Sequence, residues 1–199
     1  MRPRIGIFGG AFDPPHWGHV ALAQAALAQL QLDVLYIIPT GQAWHKARTL
    51  TPAHHRLAMA RLAFADIAQA VVDTREVERP GPSYTADTLQ AIQTENPSAQ
   101  LYLIIGWDQA LALTTWHHWQ DIAQLAIICI APRSDVSALQ GQNDTTLAHI
   151  PAIRHLQMPL MPLSATQIRH EIALKHPINA LVSESVVRYI DHHHLYRPA

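Results

Sequence analysis

Short apolar runs alternate along the chain with longer stretches whose apolar residues recur at helical spacing, the pattern of βαβ units that build a parallel sheet. Ile5 to Phe8, Val34 to Ile38, Val71 to Val72, Leu101 to Ile105 and Leu125 to Ile130 read as strands. Between them Gly18 to Leu30, Pro52 to Ala65, Tyr84 to Thr94 and roughly Ala110 to Ile122 read as helices, with Thr51 before Pro52 as one of the start signals. Ser134 to Ile150 is polar and irregular and reads as a loop or variable insertion. Beyond it Ser164, with Gln167 three residues later, is a capping-box signal that opens a helix through Leu174, and Ser183 to His192 forms a last helix. These elements predict an α/β fold: a single doubly wound, Rossmann-like parallel sheet of five strands with helices on both faces, and a small C-terminal helical extension. Residues 1–199 read as one domain, with the core at about 1–133 and the C-terminal helical part at about 160–199. In such sheets ligands sit beyond the carboxyl ends of the strands, so Gly9 to His19, Pro39 to Lys46 and Gly106 to Asp108 should line one crevice.

Composition narrows the class. A chain of 199 residues, 49% hydrophobic and 15% charged, has the apolar content for one sizeable core. A formal net charge of -1 gives no long-range field that would gather nucleic acid or an anionic membrane, so neither is expected as a partner, and an anionic ligand must be held by local groups. Met1 to Phe8 holds two arginines and then an apolar stretch too short for a signal peptide, so a cytoplasmic protein is expected. The single cysteine, Cys129, lies in the run Ala126 to Ile130, where it reads as a small buried hydrophobe, and a disulfide within the chain is excluded. There is no coiled-coil heptad or long apolar helix face from which to argue an oligomeric state; a homo-oligomer is compatible with the pattern.

The first turn carries the chemistry. Gly9-Gly10-Ala11-Phe12-Asp13-Pro14-Pro15-His16-Trp17-Gly18-His19 follows a strand and precedes a helix, where a phosphate belongs. Gly9 and Gly10 let the backbone approach a ligand, the helix start offers free N–H groups, and His16 and His19, three residues apart, can face one bound anion. An isolated His-x-x-His is more often a pair of solvated helix-start side chains. The turn is neither G-x-G-x-x-G nor G-x-x-x-x-G-K-[ST], which counts against a dehydrogenase or a P-loop kinase.

His16-Trp17-Gly18-His19 matches the His-x-Gly-His motif of a nucleotidyltransferase superfamily, and within it the sequence resembles the nicotinate mononucleotide adenylyltransferases. The resemblance extends through Ile38-Pro39, His45-Lys46, Pro82-Ser83-Tyr84-Thr85, Ile105-Gly106-Trp107-Asp108, Thr115-Trp116 and Leu163-Ser164-Ala165-Thr166-Gln167-Ile168-Arg169. Tyr189-Ile190 and Leu195-Tyr196-Arg197 also look like the family's C-terminal end and are assigned no chemistry. The resemblance implies transfer of the adenylyl group of ATP to nicotinate mononucleotide, forming nicotinate adenine dinucleotide and pyrophosphate, with Mg²⁺ arriving on ATP and no metal held by the protein alone. It implies His16, His19, Lys46 and Arg169 as the catalytic set, and Gly9, Gly10, Phe12, Gly18, Gly106, Asp108, Ser164 and Thr166 as ATP-binding. Thr40, His45, Tyr84, Thr85, Trp116, His117 and Arg133 are the corresponding acceptor set.

Chemistry supports several of these roles. Ser164 and Thr166 hydroxyls with helix-start amides can hold phosphate oxygens while Arg169 supplies a planar fork; taken alone, the segment would read as an ordinary capped surface helix. The helix opened by Pro82 to Thr85 offers N–H groups that favour a carboxylate over a carboxamide, hence nicotinate over nicotinamide. Trp116 would stack on the pyridine ring, with a core tryptophan as the alternative, and Asp108 would accept from ribose hydroxyls, with a helix N-cap as its other reading. The acceptor phosphate is already ionised at neutral pH, so no general base or covalent intermediate is required, and catalysis reduces to positioning and charge neutralisation. Loss of one such donor typically costs about 3 kcal/mol, roughly a hundredfold in rate.

Some positions depart from the family pattern. Ala11 stands where threonine is common, Thr40 where asparagine is common and His117 where tyrosine is frequent, and Arg133 follows Pro132 where the family tends to place arginine before it. Three rival classes remain. The 14 histidines, including His192-His193-His194, raise a metal-binding protein, but they are scattered without partner cysteines or an H-E-x-x-H pattern. Besides nicotinamide mononucleotide as the acceptor, the same phosphate apparatus could serve another adenylyl or cytidylyl transferase, acting on phosphopantetheine, a riboflavin phosphate or a polar alcohol phosphate. Ser83 to Thr85 and Trp116 argue against that. A module that senses ATP without turnover would be expected to lack one of the two histidines.

Overall fold

The computed structural model describes residues 2–41, 50–132, 150–159 and 161–197. In chain order these form β1 (Arg4–Gly10), α1 (Trp17–Leu30), β2 (Val34–Pro39), α2 (Ala53–Phe64), β3 (Ala70–Val72), α3 (Arg75–Glu78), α4 (Thr85–Glu95) and β4 (Gln100–Ile105). There follow α5 (Trp107–Leu111), a 3₁₀ turn (Leu113–Thr115), α6 (Trp119–Leu125), β5 (Ala126–Ile130), β6 (Ile153–His155), α7 (Ala165–Ala173) and α8 (Glu184–His192). All paired strands are parallel, in the order β3-β2-β1-β4-β5-β6, the doubly wound arrangement whose direction of winding reverses between β1 and β4.

Alternation along the central strands divides the core into two layers. Ile5, Ile7, Leu101, Leu103, Ile105, Ile128 and Ile130 pack with Leu89 and Ile92 of α4 and Ile122 of α6. The intervening Phe8, Tyr102, Ile104 and Cys129 face the other way, onto Ala23 and Ala26 of α1 and Phe64 of α2. Both faces of the sheet are therefore covered, which is why its strands read as continuous apolar runs. A third cluster joins Met59 of α2 to Ile168 of α7 and Val186 and Ile190 of α8, docking the C-terminal helices on the side of the sheet that carries α1 and α2.

Two sequence expectations are corrected. The sheet has six strands, not five: Ile153–His155 adds a strand in parallel register with β5, Ile128 beside Ile153 and Ile130 beside His155. A three-residue edge strand with a single apolar residue has no period to detect. The helix expected from Ala110 to Ile122 is broken into α5, the 3₁₀ turn and α6. Thr115 turns its hydroxyl back onto the carbonyl of Ala112 at 2.7 Å, and His118 takes a left-handed conformation at φ 53, so the helix cannot run through. Most of the Ser134 to Ile150 stretch lies outside the described residues.

Candidate active site

β1 delivers the Gly9-Gly10 turn to the reversal point, and β4 ends beside it at Ile105, so Gly106 stands across the crevice mouth from the turn. A Cβ on Gly9 or Gly106 would meet nothing within 4 Å, leaving open backbone on both walls. Thr40 is pinned to the first turn, its N–H donating to the carbonyl of Gly10 at 2.9 Å. Phe12 takes a left-handed φ of 47 and sends its ring into the core, 1% exposed, against Phe8, Phe64 and His19, so only its backbone is left to face a nucleotide.

His16 caps α1 and His19 lies one turn on, with ring centroids 3.8 Å apart. The His16 N–H donates to Nδ1 of His19 at 3.2 Å, so the proton of a neutral His19 ring sits on Nε2 and makes that atom a donor. His16 is 8% exposed, and burial pulls its pKa down from 6.5 to about 4, so it is a neutral donor rather than a cation at neutral pH. Its Nδ1 is buried without a hydrogen-bond partner among the described residues, as a group waiting for a ligand would be. Gly18 makes room for this ring: a Cβ there would lie 3.1 Å from both Cε1 and Nδ1 of His16. The two imidazoles and Gly18 line a cavity of about 160 Å³ that Ala131, Pro132, Met158 and Leu163 close from the β5 and α7 sides. A larger hollow of about 820 Å³ beside α8 contains none of the expected site residues.

Ser164 is the N-cap of α7, its hydroxyl oxygen accepting the Gln167 N–H at 3.1 Å, as the capping-box signal predicted. The hydroxyl proton remains available to a phosphate oxygen. Arg169 connects this segment to the first turn: Nη1 donates to the carbonyl of Asp13 at 2.8 Å and Nη2 to the Thr166 hydroxyl at 3.0 Å. The α1 start is tied to the same region by the Trp17 N–H, which donates to the carbonyl of Leu181 at 3.0 Å.

On the other side of the crevice, Tyr84 caps α4 with Thr85 as its first helical residue, and the Tyr84 ring lies 4.3 Å from that of His117. Two of the expected acceptor-binding segments are thus brought together. Trp116, next to His117 in the chain, is half-buried against the core, compatible both with stacking on a ring and with a core role. Asp108 is exposed in the first turn of α5, but the N-cap is Gly106, so the N-cap reading of Asp108 is set aside. His45, Lys46 and Arg133 lie outside the described residues. Cys129 is fully buried in the core layer that also holds Phe8 and Phe12, with burial pushing its thiol up to about 12.

Three buried polar groups that sequence reasoning passed over brace the site. Arg56, 1% exposed, donates to the carbonyls of Thr51 at 2.8 Å, Ala11 at 3.1 Å and Gly41 at 3.3 Å, and so links the first turn to the loop after β2. Glu76 accepts the Thr88 hydroxyl at 2.9 Å, and its backbone carbonyl accepts the Ser83 hydroxyl at 3.4 Å, which holds the turn before α4; burial raises its carboxyl pKa. Gly41 lies so close that a Cβ there would overlap the Glu76 carbonyl. Asp13, also 1% exposed, accepts the Tyr196 hydroxyl at 2.6 Å and the Thr51 N–H at 3.3 Å. A charged residue at the head of an apolar helix face, as Arg56 is beside Met59 and Ala60, was the available signal.

A parallel doubly wound sheet with a His-x-Gly-His turn at its reversal point and an arginine-bearing helix start docked onto that turn is the build of a nucleotidyltransferase. A family model described as cytidylyltransferase-like matches residues 7–171. A protein of Albidiferax ferrireducens named "Probable nicotinate-nucleotide adenylyltransferase" is 55% identical over 196 residues, covering 98% of this chain and 99% of the relative. A protein of the same name from Methylibium petroleiphilum is 42% identical over 199 residues, covering 98% and 93%. The solved nicotinic acid mononucleotide adenylyltransferase of Plasmodium falciparum complexed with NaAD superposes with a TM-score of 0.80 at 19% identity, over 98% of this chain and 97% of that one, and shares its fold. This chain belongs to the nicotinate-nucleotide adenylyltransferase family.

Proposed function

We propose that the protein transfers the adenylyl group of ATP to nicotinate mononucleotide, forming nicotinate adenine dinucleotide and releasing pyrophosphate, a step of NAD synthesis. The observation that carries the site assignment is the junction at Asp13, where Arg169 and the His-x-Gly-His turn meet, although they are 156 residues apart from Asp13 to Arg169. His16 and His19 would donate to oxygens of the α phosphate, while Ser164, Thr166 and Arg169 hold the β and γ phosphates and Lys46 adds a third charge. Gly9, Gly10 and Gly18 let the nucleotide approach the backbone, and Asp108 takes the ribose.

The donors around the turn are N–H and O–H groups that fit phosphate oxygens. Mg²⁺ would arrive with the ATP it accompanies, as the family resemblance implies. When bound, the ion neutralises charge developing on the pyrophosphate. The acceptor is read on the opposite wall: the α4 start at Tyr84 and Thr85, with His117 against Tyr84, would hold the carboxylate, and Trp116 the pyridine face. Thr40, His45 and Arg133 complete the acceptor side. The acceptor's phosphate oxygen attacks the α phosphorus in line, the bond to the bridging oxygen of pyrophosphate breaks, and no proton needs to be removed from the ionised nucleophile. Both substrates are charged and water-soluble, which supports a cytoplasmic reaction; no described helix is long and apolar enough to cross a membrane.

The test is isotopic. Nicotinate mononucleotide carrying ¹⁸O in its phosphate, incubated with ATP and Mg²⁺, should give a dinucleotide that keeps the label and unlabelled pyrophosphate. Label in pyrophosphate, or no dinucleotide, overturns the proposal.

A further inference from the structure

We propose that Tyr196, near the end of the described chain, is a positioning residue for the nucleotide: its phenol holds Asp13, and Asp13 holds Arg169. The inference rests on the reading of Arg169 as a triphosphate ligand. Asp13 stands in the middle of the first turn and meets the C-terminal part of the chain twice, through different atoms. Its carboxylate accepts the Tyr196 hydroxyl at 2.6 Å, and its carbonyl accepts Nη1 of Arg169 at 2.8 Å. An O–H to carboxylate bond of that length is of the strong, charge-assisted kind. The carboxylate's other oxygen accepts the Thr51 N–H at 3.3 Å, so the side chain is tied both to the C-terminal part of the chain and to the residue pair that opens α2. Tied at both oxygens, the side chain fixes the Asp13 backbone, whose carbonyl aims the Arg169 guanidinium, and weakening the Tyr196 tie loosens that carbonyl and with it the phosphate ligand.

The backbone on both sides of this bond is held in an unfavourable region. Phe12, just before Asp13, has φ 47, and Tyr196 has φ 64, conformations that bulky side chains rarely take. Such conformations persist where the surroundings over-determine them, and they gather at functional sites. Here they aim the Tyr196 ring across the C-terminal cluster and onto the phosphate turn. Burial first, and the neighbouring carboxylate next, hold the Tyr196 phenol well above its ordinary pKa, so it remains a donor throughout the range in which an enzyme works. Leu195, its neighbour, packs into the apolar cluster around Met59 and Ile190.

The test compares Tyr196→Phe with Leu195→Ala in the full chain. Initial rates are measured with ATP varied at saturating nicotinate mononucleotide, then with the acceptor varied at saturating ATP. ATP binding is also measured by calorimetry without acceptor, so that an error about the acceptor cannot hide the result. Tyr196→Phe should raise the KM and the Kd for ATP roughly tenfold while the acceptor KM stays within about twofold. Leu195→Ala should lower the melting temperature and leave the ATP constants unchanged. Tyr196→Phe with unaltered ATP binding, or with both KM values raised together as general loosening would do, overturns the proposal.

Discussion

The buried imidazole of His16 makes the stability of the fold depend on pH in a predictable direction. Burial lowers its pKa from 6.5 to about 4, so the folded state refuses a proton that the unfolded chain accepts. The stabilisation is fully present above pH 6.5 and is lost as the pH falls through 4, the loss reaching about 3 kcal/mol at pH 4. At pH 5 the unfolded imidazole is almost wholly protonated and the folded one only about one-tenth so, a factor of about 30, or about 2 kcal/mol. His16 is 8% exposed, so solvent screening takes little from that figure. Urea unfolding of the native protein and of His16→Gln, at pH 7, 6 and 5, isolates this term, because the glutamine keeps a polar side chain but cannot titrate. The native protein should lose about 2 kcal/mol more than the variant between pH 7 and pH 5. Parallel losses in the two proteins would refute the assignment of a buried neutral imidazole.

Gly18→Ala sets packing against propensity. Alanine is the better helix former by about 1 kcal/mol, yet its Cβ would press on His16 at 3.1 Å; melting temperature should hold or rise while kcat/KM falls about tenfold, and an unchanged kcat/KM contradicts the account. His117→Ala removes the ring that packs on Tyr84 at 4.3 Å, so steady-state kinetics should show the acceptor KM rise about fivefold with the ATP KM unchanged. Cys129, fully buried and pushed up to about 12, should resist iodoacetamide in the folded protein at pH 8 and be alkylated only after unfolding, as intact mass would report.

How much of this was legible in the chain depends on the distance over which each feature is encoded. The first turn is local: a strand, two glycines, a histidine pair and a helix start occur within residues 4–19, and the structure puts the turn at the reversal point expected for it. Ser164 was equally readable, since a cap and the residue it caps lie three apart. Strand β6 was hidden because three residues at a sheet edge carry no periodic signal, and the broken helix before β5 because side-chain bonds to the backbone overrode its apolar spacing. The supports of the site could not be read at all. Tyr196 and Asp13 are 183 residues apart, and Arg56 reaches Ala11 across 45. Such pairs exist only once the sheet has folded and the C-terminal helices have docked on α2. The neutral state of His16 was likewise out of reach, because burial is a property of what surrounds a side chain and not of its neighbours in sequence.

Adenylyl transfer by the His-x-Gly-His turn to a carboxylate-bearing acceptor is read out by following pyrophosphate release with ATP and Mg²⁺. Nicotinate mononucleotide and nicotinamide mononucleotide are offered in parallel, and His19→Ala serves as the control. A strong preference for the first acceptor is expected, with a loss of roughly a hundredfold in rate in the variant. Equal use of both acceptors would contradict the reading of the Tyr84 and His117 wall, and an unimpaired His19→Ala would contradict the chemistry itself.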